Sequence, residues 1–316
     1  MQIIDTHCDA LYKLQKAKRS EGKLLNFQNA KSLDTNKNRL QTGKVKVQFF
    51  AIFLDPDVPA NKAWEYAVEQ IDLFHDKVID KHREIKHITN WSQIEKLASD
   101  EIGAILTLEG AEPIGNELQK LHQLFKRGIM SVGLTWNQAN LCADGVGEPR
   151  GAGLSLLGEE VVKLNNKHNV LTDVSHLSVN GFWDVMEQAD FPFASHSNSK
   201  TICDHPRNLN DDQLKALIKK EAQIHLVFNP PFIKEDRKVT IDDLIKHIDY
   251  ICSIGGVNNI GFGSDFDGID EYVVGLEDAS KYQELIEELL KHFSELQVRG
   301  FAYENFLNYL THLELN

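Results

Sequence analysis

The strongest constraint on this chain of 316 residues is an alternation. Eight short runs rich in β-branched and aromatic residues lie at 2–6, 45–54, 102–108, 129–134, 170–174, 193–195, 222–228 and 259–263. Between them fall helical patterns at 62–86, 116–126, 158–168, 179–188, 211–220, 241–254 and 281–293. The clearest of these is the first, where Trp64, Ala67, Val68, Ile71, Phe74, Val78 and Ile79 recur at three- and four-residue steps along one face. A strand, helix, strand order predicts a parallel sheet, because parallel neighbours need a long crossover and a helix supplies it. Eight such strands is the number that closes an α/β fold into a (β/α)8 barrel of the TIM type. No Pro/Gly/Ser-rich linker interrupts the pattern, so residues 1–316 are expected to form a single barrel domain. Its C-terminal helical extension is expected at 295–313, where Val298, Phe301, Phe306 and Leu310 carry apolar spacing that suits packing against the barrel exterior.

Charge and termini narrow the class of partner. The 34 Lys and Arg against 47 Asp and Glu leave a formal charge of −13. With no Lys/Arg stripe, nucleic acid is a poor partner for such a chain. The opening Met1-Gln2-Ile3-Ile4-Asp5 has neither the basic nor the apolar region of a secretory signal. The apolar run 49–54 is far shorter than the roughly 20 residues a membrane-spanning helix needs, so no membrane anchor is expected. Cys8, Cys142, Cys203 and Cys252 are scattered without a CxxC pair and read as reduced thiols of a cytoplasmic protein.

Chemistry concentrates where strands end. The first run closes in His7-Cys8-Asp9, and alternation along an extended segment turns His7 and Asp9 to one side and Cys8 to the other. An imidazole and a carboxylate so placed suit a divalent ion of the zinc or iron kind. Glu109 follows a run that reads as fully buried strand, His176 and His196 follow the runs at 170–174 and 193–195, and Asp265 and Asp267 follow the run at 259–263. In a parallel barrel all carboxyl ends open on one face, where the catalytic groups lie. Each residue alone has a plainer account: a hydrogen-bonded histidine, a helix-capping glutamate, or aspartates forming a turn before Gly268. Jointly, three histidines and the carboxylates of Asp9, Glu109 and Asp265 at one mouth would be costly without metal charge to balance them. His225, inside a strand, fits either the core or the mouth. His75, His82 and His87 lie on or beyond a long polar helix and read as a solvated face. No dinucleotide fingerprint, phosphate loop or GxSxG elbow is present.

At these residues the chain resembles the membrane (renal) dipeptidase family, the M19 metallopeptidases of the metal-dependent amidohydrolase superfamily, in a bacterial-type variant. The stretches that carry the resemblance are 4–9, 108–110, 173–178, 195–197, 206–209, 263–268 and 275–278, in the family's order. The resemblance implies a barrel of the metal-dependent hydrolase type with two zinc ions. It implies that His7 and Asp9 hold one ion, that His176 and His196 hold the other, and that Glu109 bridges both. Asp265 would be the catalytic proton-transfer residue, also touching substrate, and Arg207 would bind the free carboxylate of a dipeptide. The implied reaction is hydrolysis of dipeptides, including those with a D-residue at the C-terminal position, by a metal-bridging hydroxide; a homodimer is implied as well. The sequence departs from the animal enzymes at Trp136, which stands where they carry a histidine at the substrate and offers only an indole N–H. Rival readings are another binuclear hydrolase, acting on N-acyl amino acids or lactones, and a non-catalytic barrel that binds a ligand.

Overall fold

The computed structural model describes residues 1–235 and 238–314. Nine strands occur among them: β1 (Ile3–Asp5), β2 (Val45–Phe53), β3 (Ile85–His87), β4 (Ile102–Glu109), β5 (Ile129–Gly133), β6 (Leu171–Asp173), β7 (Pro192–Phe193), β8 (Ile224–Leu226) and β9 (Ile260–Phe262). The chain divides into two compact units, Met1–Ala10 with Asn26–Gln48 and Ala194–Asn316, and Leu11–Leu25 with Phe49–Phe193.

In the first unit the strand order is β2–β1–β9–β8, and the β1–β2, β1–β9 and β8–β9 pairs are parallel. Phe228, Phe262, Phe266 and Tyr282 form its aromatic core, with ring centroids 5.7 to 6.1 Å apart and every side chain buried. Phe266 bears most directly on the chemistry, because burying its ring fixes the turn that carries Asp265 and Asp267 on either side of it. The C-terminal helices close over the same sheet. Asn305 donates through Nδ2 to Val257 O and Ile260 O, and Phe306 lies edge-on to His225 at 5.4 Å.

In the second unit the order is β2–β4–β5–β6–β7, with β3 pairing β4 beside this path, and the pairs from β3 to β7 are again parallel. All eight residues of β4 are buried, as expected of a strand covered on both faces. Helices Ala63–Leu73, Leu118–Lys126, Leu156–Lys167 and Val179–Gln188 alternate with these strands. Ser155 and Ser178 cap the last two by accepting from Gly158 N and Gly181 N.

The eight strands expected from sequence are all present, each within about two residues at its ends. The helix expected over 62–86 is not. Its α-helical part stops at Leu73, a π-turn follows at Phe74–Ile79, and the chain then enters β3. The solvated-face reading of the neighbouring histidines fails with it: His82 is buried, and burial beside His75 pulls His87 down to about 4.

A histidine of the first unit links stability to pH. His247 accepts from Ser199 N at Nδ1, and Nε2 lies 2.9 Å from Ile233 O, a pairing that needs the neutral ring with its proton on Nε2. Burial pulls it down to about 4. A base with a lowered folded-state pKa stabilises the fold above its unfolded value of about 6.5 and loses that contribution as pH falls toward 4. We expect denaturant titrations from pH 7 to 4 to lose about 3 kcal/mol through this group. His247→Gln, less stable at pH 7, should show a shallower acid limb, and parallel limbs would contradict the assignment.

Candidate metal centre

The first unit carries five of the expected site residues. β1 runs into His7, Cys8 and Asp9, and the backbone of Asp9 is tied to the turn after β9 by its N–H to Phe266 O at 2.9 Å. Asp265 N in turn donates to His7 O at 3.2 Å. These links bring His7, Asp9 and Asp265 together: His7 Nε2 lies 3.4 Å from Asp9 Oδ2 and 3.7 Å from Asp265 Oδ1. One donor atom from each lies within 4.8 Å of the others. Cys8 faces away, as alternation requires. Burial and the neighbouring Asp267 and Asp5 push its thiol well above the ordinary range, so it is no nucleophile.

His196, after β7, stacks its ring on that of His7 with centroids 3.9 Å apart, and its Nδ1 lies 2.6 Å from Ser195 Oγ. Arg207 is buried, donates through Nη2 to His196 O at 3.0 Å, and lies over the Phe232 ring at 5.5 Å. His225 belongs to the core of this unit. Its Nδ1 lies 2.7 Å from Thr6 Oγ1, Gly261 leaves no room for a side chain against its ring, and burial pulls it down to about 3.

The second unit carries the other three. Glu109 ends β4, and Gly110 turns the chain with φ +93°. Asp173 ends β6 and accepts from Ser175 N at 2.9 Å, an Asx-type turn that delivers His176. His176 Nε2 lies 2.9 Å from Glu109 Oε1, and its Nδ1 lies 2.9 Å from Asn137 Oδ1. Trp136, half-buried, packs edge-on to Phe53 at 5.3 Å and tilted to His176 at 6.1 Å.

The strand-end aspartates divide by what surrounds them. Asp5 is fully buried and accepts from His7 N, Ser264 N and Ser264 Oγ; burial still raises it above the usual carboxylate range. Asp267 accepts from Asp34 N, Thr35 N and Thr35 Oγ1, while Asp34 Oδ2 accepts from Asp267 N and Tyr272 OH. That reciprocal clasp fastens the loop before helix Lys37–Thr42 to the turn after β9. It makes Asp267 a structural residue and leaves Asp265 beside His7. Sequence reasoning misses Asp5, Asn137, Ser195 and the Asp34–Asp267 clasp. Asp5 and Ser195 are signalled there only by closeness to a strand-end histidine, and Asn137 and Asp34 carry no local signal.

Two observations test whether these residues suit divalent metal. The donor set is imidazole with carboxylate, the usual set for zinc and its neighbours. A neutral imidazole has one N–H, yet both nitrogens of His176 face oxygen acceptors, an arrangement that suits a second proton or a cation there. In the first unit a Cβ on Gly268 would strike Asp9 Oδ2 and lie 2.6 Å from Asp265 Oδ1. The missing side chain keeps a cradle open beside those two carboxylates. The residues fit a metal.

A family model described as membrane dipeptidase (peptidase family M19) matches residues 1–316. A protein of Schizosaccharomyces pombe (strain 972), described as an uncharacterized dipeptidase, is 30% identical over 344 residues, covering 99% of this chain and 81% of its own length. Among solved structures, dipeptidase AC, a metallopeptidase of family M19, superposes with a TM-score of 0.90 at 25% identity, covering 99% of this chain and 98% of its own. A metallopeptidase of Rhodobacter sphaeroides, liganded with a phosphinate mimic of the dipeptide L-Ala-D-Ala, gives 0.90 at 24% identity over 99% of both chains. The fold is a (β/α)8 barrel, as the strand and helix alternation required.

Gly268 supplies a direct check, for its φ lies outside the left-handed region and alanine is conformationally acceptable. Gly268→Ala should keep the wild-type circular dichroism spectrum and bind divalent zinc or cobalt at least about tenfold more weakly by chelator competition. Unchanged affinity would show that the cradle has no bearing on metal.

Proposed function

The chain belongs to the membrane dipeptidase family, peptidase family M19, and from that premise we propose that it hydrolyses the peptide bond of dipeptides, L-Xaa-D-Xaa among them, with two zinc ions. At the coarser level it is a metal-dependent hydrolase of peptide bonds. The observation that carries the finer reading is the buried meeting of His7 and Asp9 with Asp265 at the ends of β1 and β9. By the family's motif, His7, Asp9, Glu109, His176 and His196 would be the residues that hold the ions. Divalent ions so held supply Lewis acidity, which polarises a carbonyl and lets water lose a proton near neutral pH.

The chain's own groups do the rest. Asp265 sits at φ +65°, held by its N–H on His7 O and by the burial of Phe266 next to it. Its carboxylate is thereby pre-positioned to take the proton of the attacking water and return it to the leaving amine, sparing the cost of ordering it during reaction. Arg207 keeps a fixed orientation through His196 O and the Phe232 ring, and its planar fork matches the free carboxylate of a dipeptide in a way an ammonium cannot. Trp136, at the substrate position by the family's motif, offers only a neutral indole N–H, so charge stabilisation falls to other groups. The L-Ala-D-Ala mimic on the Rhodobacter relative supports a substrate of this size and chirality.

Zinc as the native metal rests on the imidazole and carboxylate donors. A cytoplasmic location rests on four free cysteines. The homodimer rests on family resemblance, and a single domain over 1–316 rests on the continuous barrel pattern. No described helix is long and apolar enough to cross a membrane.

Zinc-reconstituted protein should turn over L-Ala-D-Ala, and the chelated protein should not. In Asp265→Asn, kcat should fall at least about 100-fold while metal content stays at the wild-type level. Arg207→Ala should chiefly raise KM for dipeptides. Full turnover by the Asp265→Asn protein with both ions bound would contradict the role given to that residue.

A further inference from the structure

Resting on the reading of His176 as a metal ligand, we infer that Asn137 is its positioning residue, setting which ring nitrogen faces the metal side. The loop after β5 runs Leu134, Thr135, Trp136, Asn137, Gln138, and a second segment crosses it at Gly145 to Gly147. Gly147 N donates to Asn137 O at 2.8 Å and Gly145 N to Gln138 O at 3.1 Å. Between them Val146 N donates to His176 O at 2.7 Å. One short segment therefore grips the backbones of both partners. The approach is close enough that a Cβ at Gly145 would collide with the Trp136 and Asn137 carbonyls, which accounts for glycine there.

On that frame the side chains meet at 2.9 Å, Asn137 Oδ1 against His176 Nδ1. An amide oxygen only accepts, so once a cation takes up the Nε2 side, where Glu109 lies 2.9 Å away, the ring keeps its one proton on Nδ1 for Asn137. The Trp136 ring tilted at 6.1 Å and the left-handed backbone of His176, φ +68°, restrict the other orientations of the ring. A neutral amide achieves this without adding a further charge beside Glu109. Outer partners of this kind set ligand tautomer and orientation, and their loss commonly weakens metal binding about 10- to 100-fold.

The test uses the full chain with two readouts besides activity. In 1H–15N spectra of zinc-loaded protein, the His176 Nδ1–H proton should be visible and slow to exchange with water in wild type and should be lost to fast exchange in Asn137→Ala. Zinc titration against a chromogenic chelator should show one of two ions bound about 10- to 100-fold more weakly in that variant. Asn137→Asp, which keeps an acceptor oxygen and the shape, should restore the protected proton, and it carries the comparison if the alanine protein does not fold. A protected Nδ1–H proton with wild-type affinity in Asn137→Ala, or an unprotected one in Asn137→Asp, would overturn the assignment. If wild type itself takes up no zinc, the metal reading fails, while protection of the same proton in metal-free protein still decides whether Asn137 holds His176.

Discussion

Burying a carboxylate away from water is tolerable only if something replaces the lost hydration, and the strand ends of this protein solve that problem in two ways. Asp5 and Asp267 are solved by the protein, each collecting three N–H or O–H donors, all but the His7 N–H on Asp5 from residues distant in sequence. Asp144 is solved by a fork of Arg150 hydrogen bonds and the Ala152 N–H. At His7, Asp9 and Asp265 the acceptor oxygens of two acids converge on one imidazole nitrogen. A divalent cation would balance the charge of such a group. Asp5 and Asp267 thus hold the fold, while His7, Asp9 and Asp265 form the convergent group.

The backbone enforces that division. His176, Asp265 and Asp267 all lie at positive φ, a conformation non-glycine residues seldom adopt and one that costs energy unless the surroundings impose it. The surroundings do so here. Phe266 is locked in the aromatic core between the two aspartates, the Asp34 clasp holds one side of that turn, and the Val146 N–H holds the carbonyl of His176. Gly263 permits the first of these turns, since a Cβ there would overlap Ser195 O. Packing in the apolar interior thus fixes polar groups a few residues away, which is the sense in which the fold builds the site.

Most of the architecture is legible in sequence because a parallel strand buried on both faces reads as a nearly continuous apolar run, interrupted in β4 before its closing Glu109 only by Thr107. The same logic locates His7, Asp9, Glu109, His176, His196 and Asp265, since each follows such a run. Local pattern fails where tertiary context decides. Val78 and Ile79 continue the helical spacing of the residues before them, but a π-turn ends the helix and Ile85–His87 pairs with β4. Nothing local distinguishes Asp265 from Asp267. Only the position of Asp34 and Thr35, more than 230 residues earlier, makes one a clasp and leaves the other beside His7. Asn137 is invisible in sequence for the same reason: its role depends on Gly145 and His176 reaching it from other segments.

If the convergent acids and imidazole at the ends of β1 and β9 cage a divalent ion, the ion can be seen there. Anomalous diffraction at the zinc edge, from crystals of zinc-reconstituted protein, should give a peak with His7 Nε2 and an Asp9 carboxylate oxygen at about 2.0 to 2.2 Å. Crystals saturated with zinc that show no peak at His7 and Asp9, or peaks only elsewhere on the molecule, would contradict the cage.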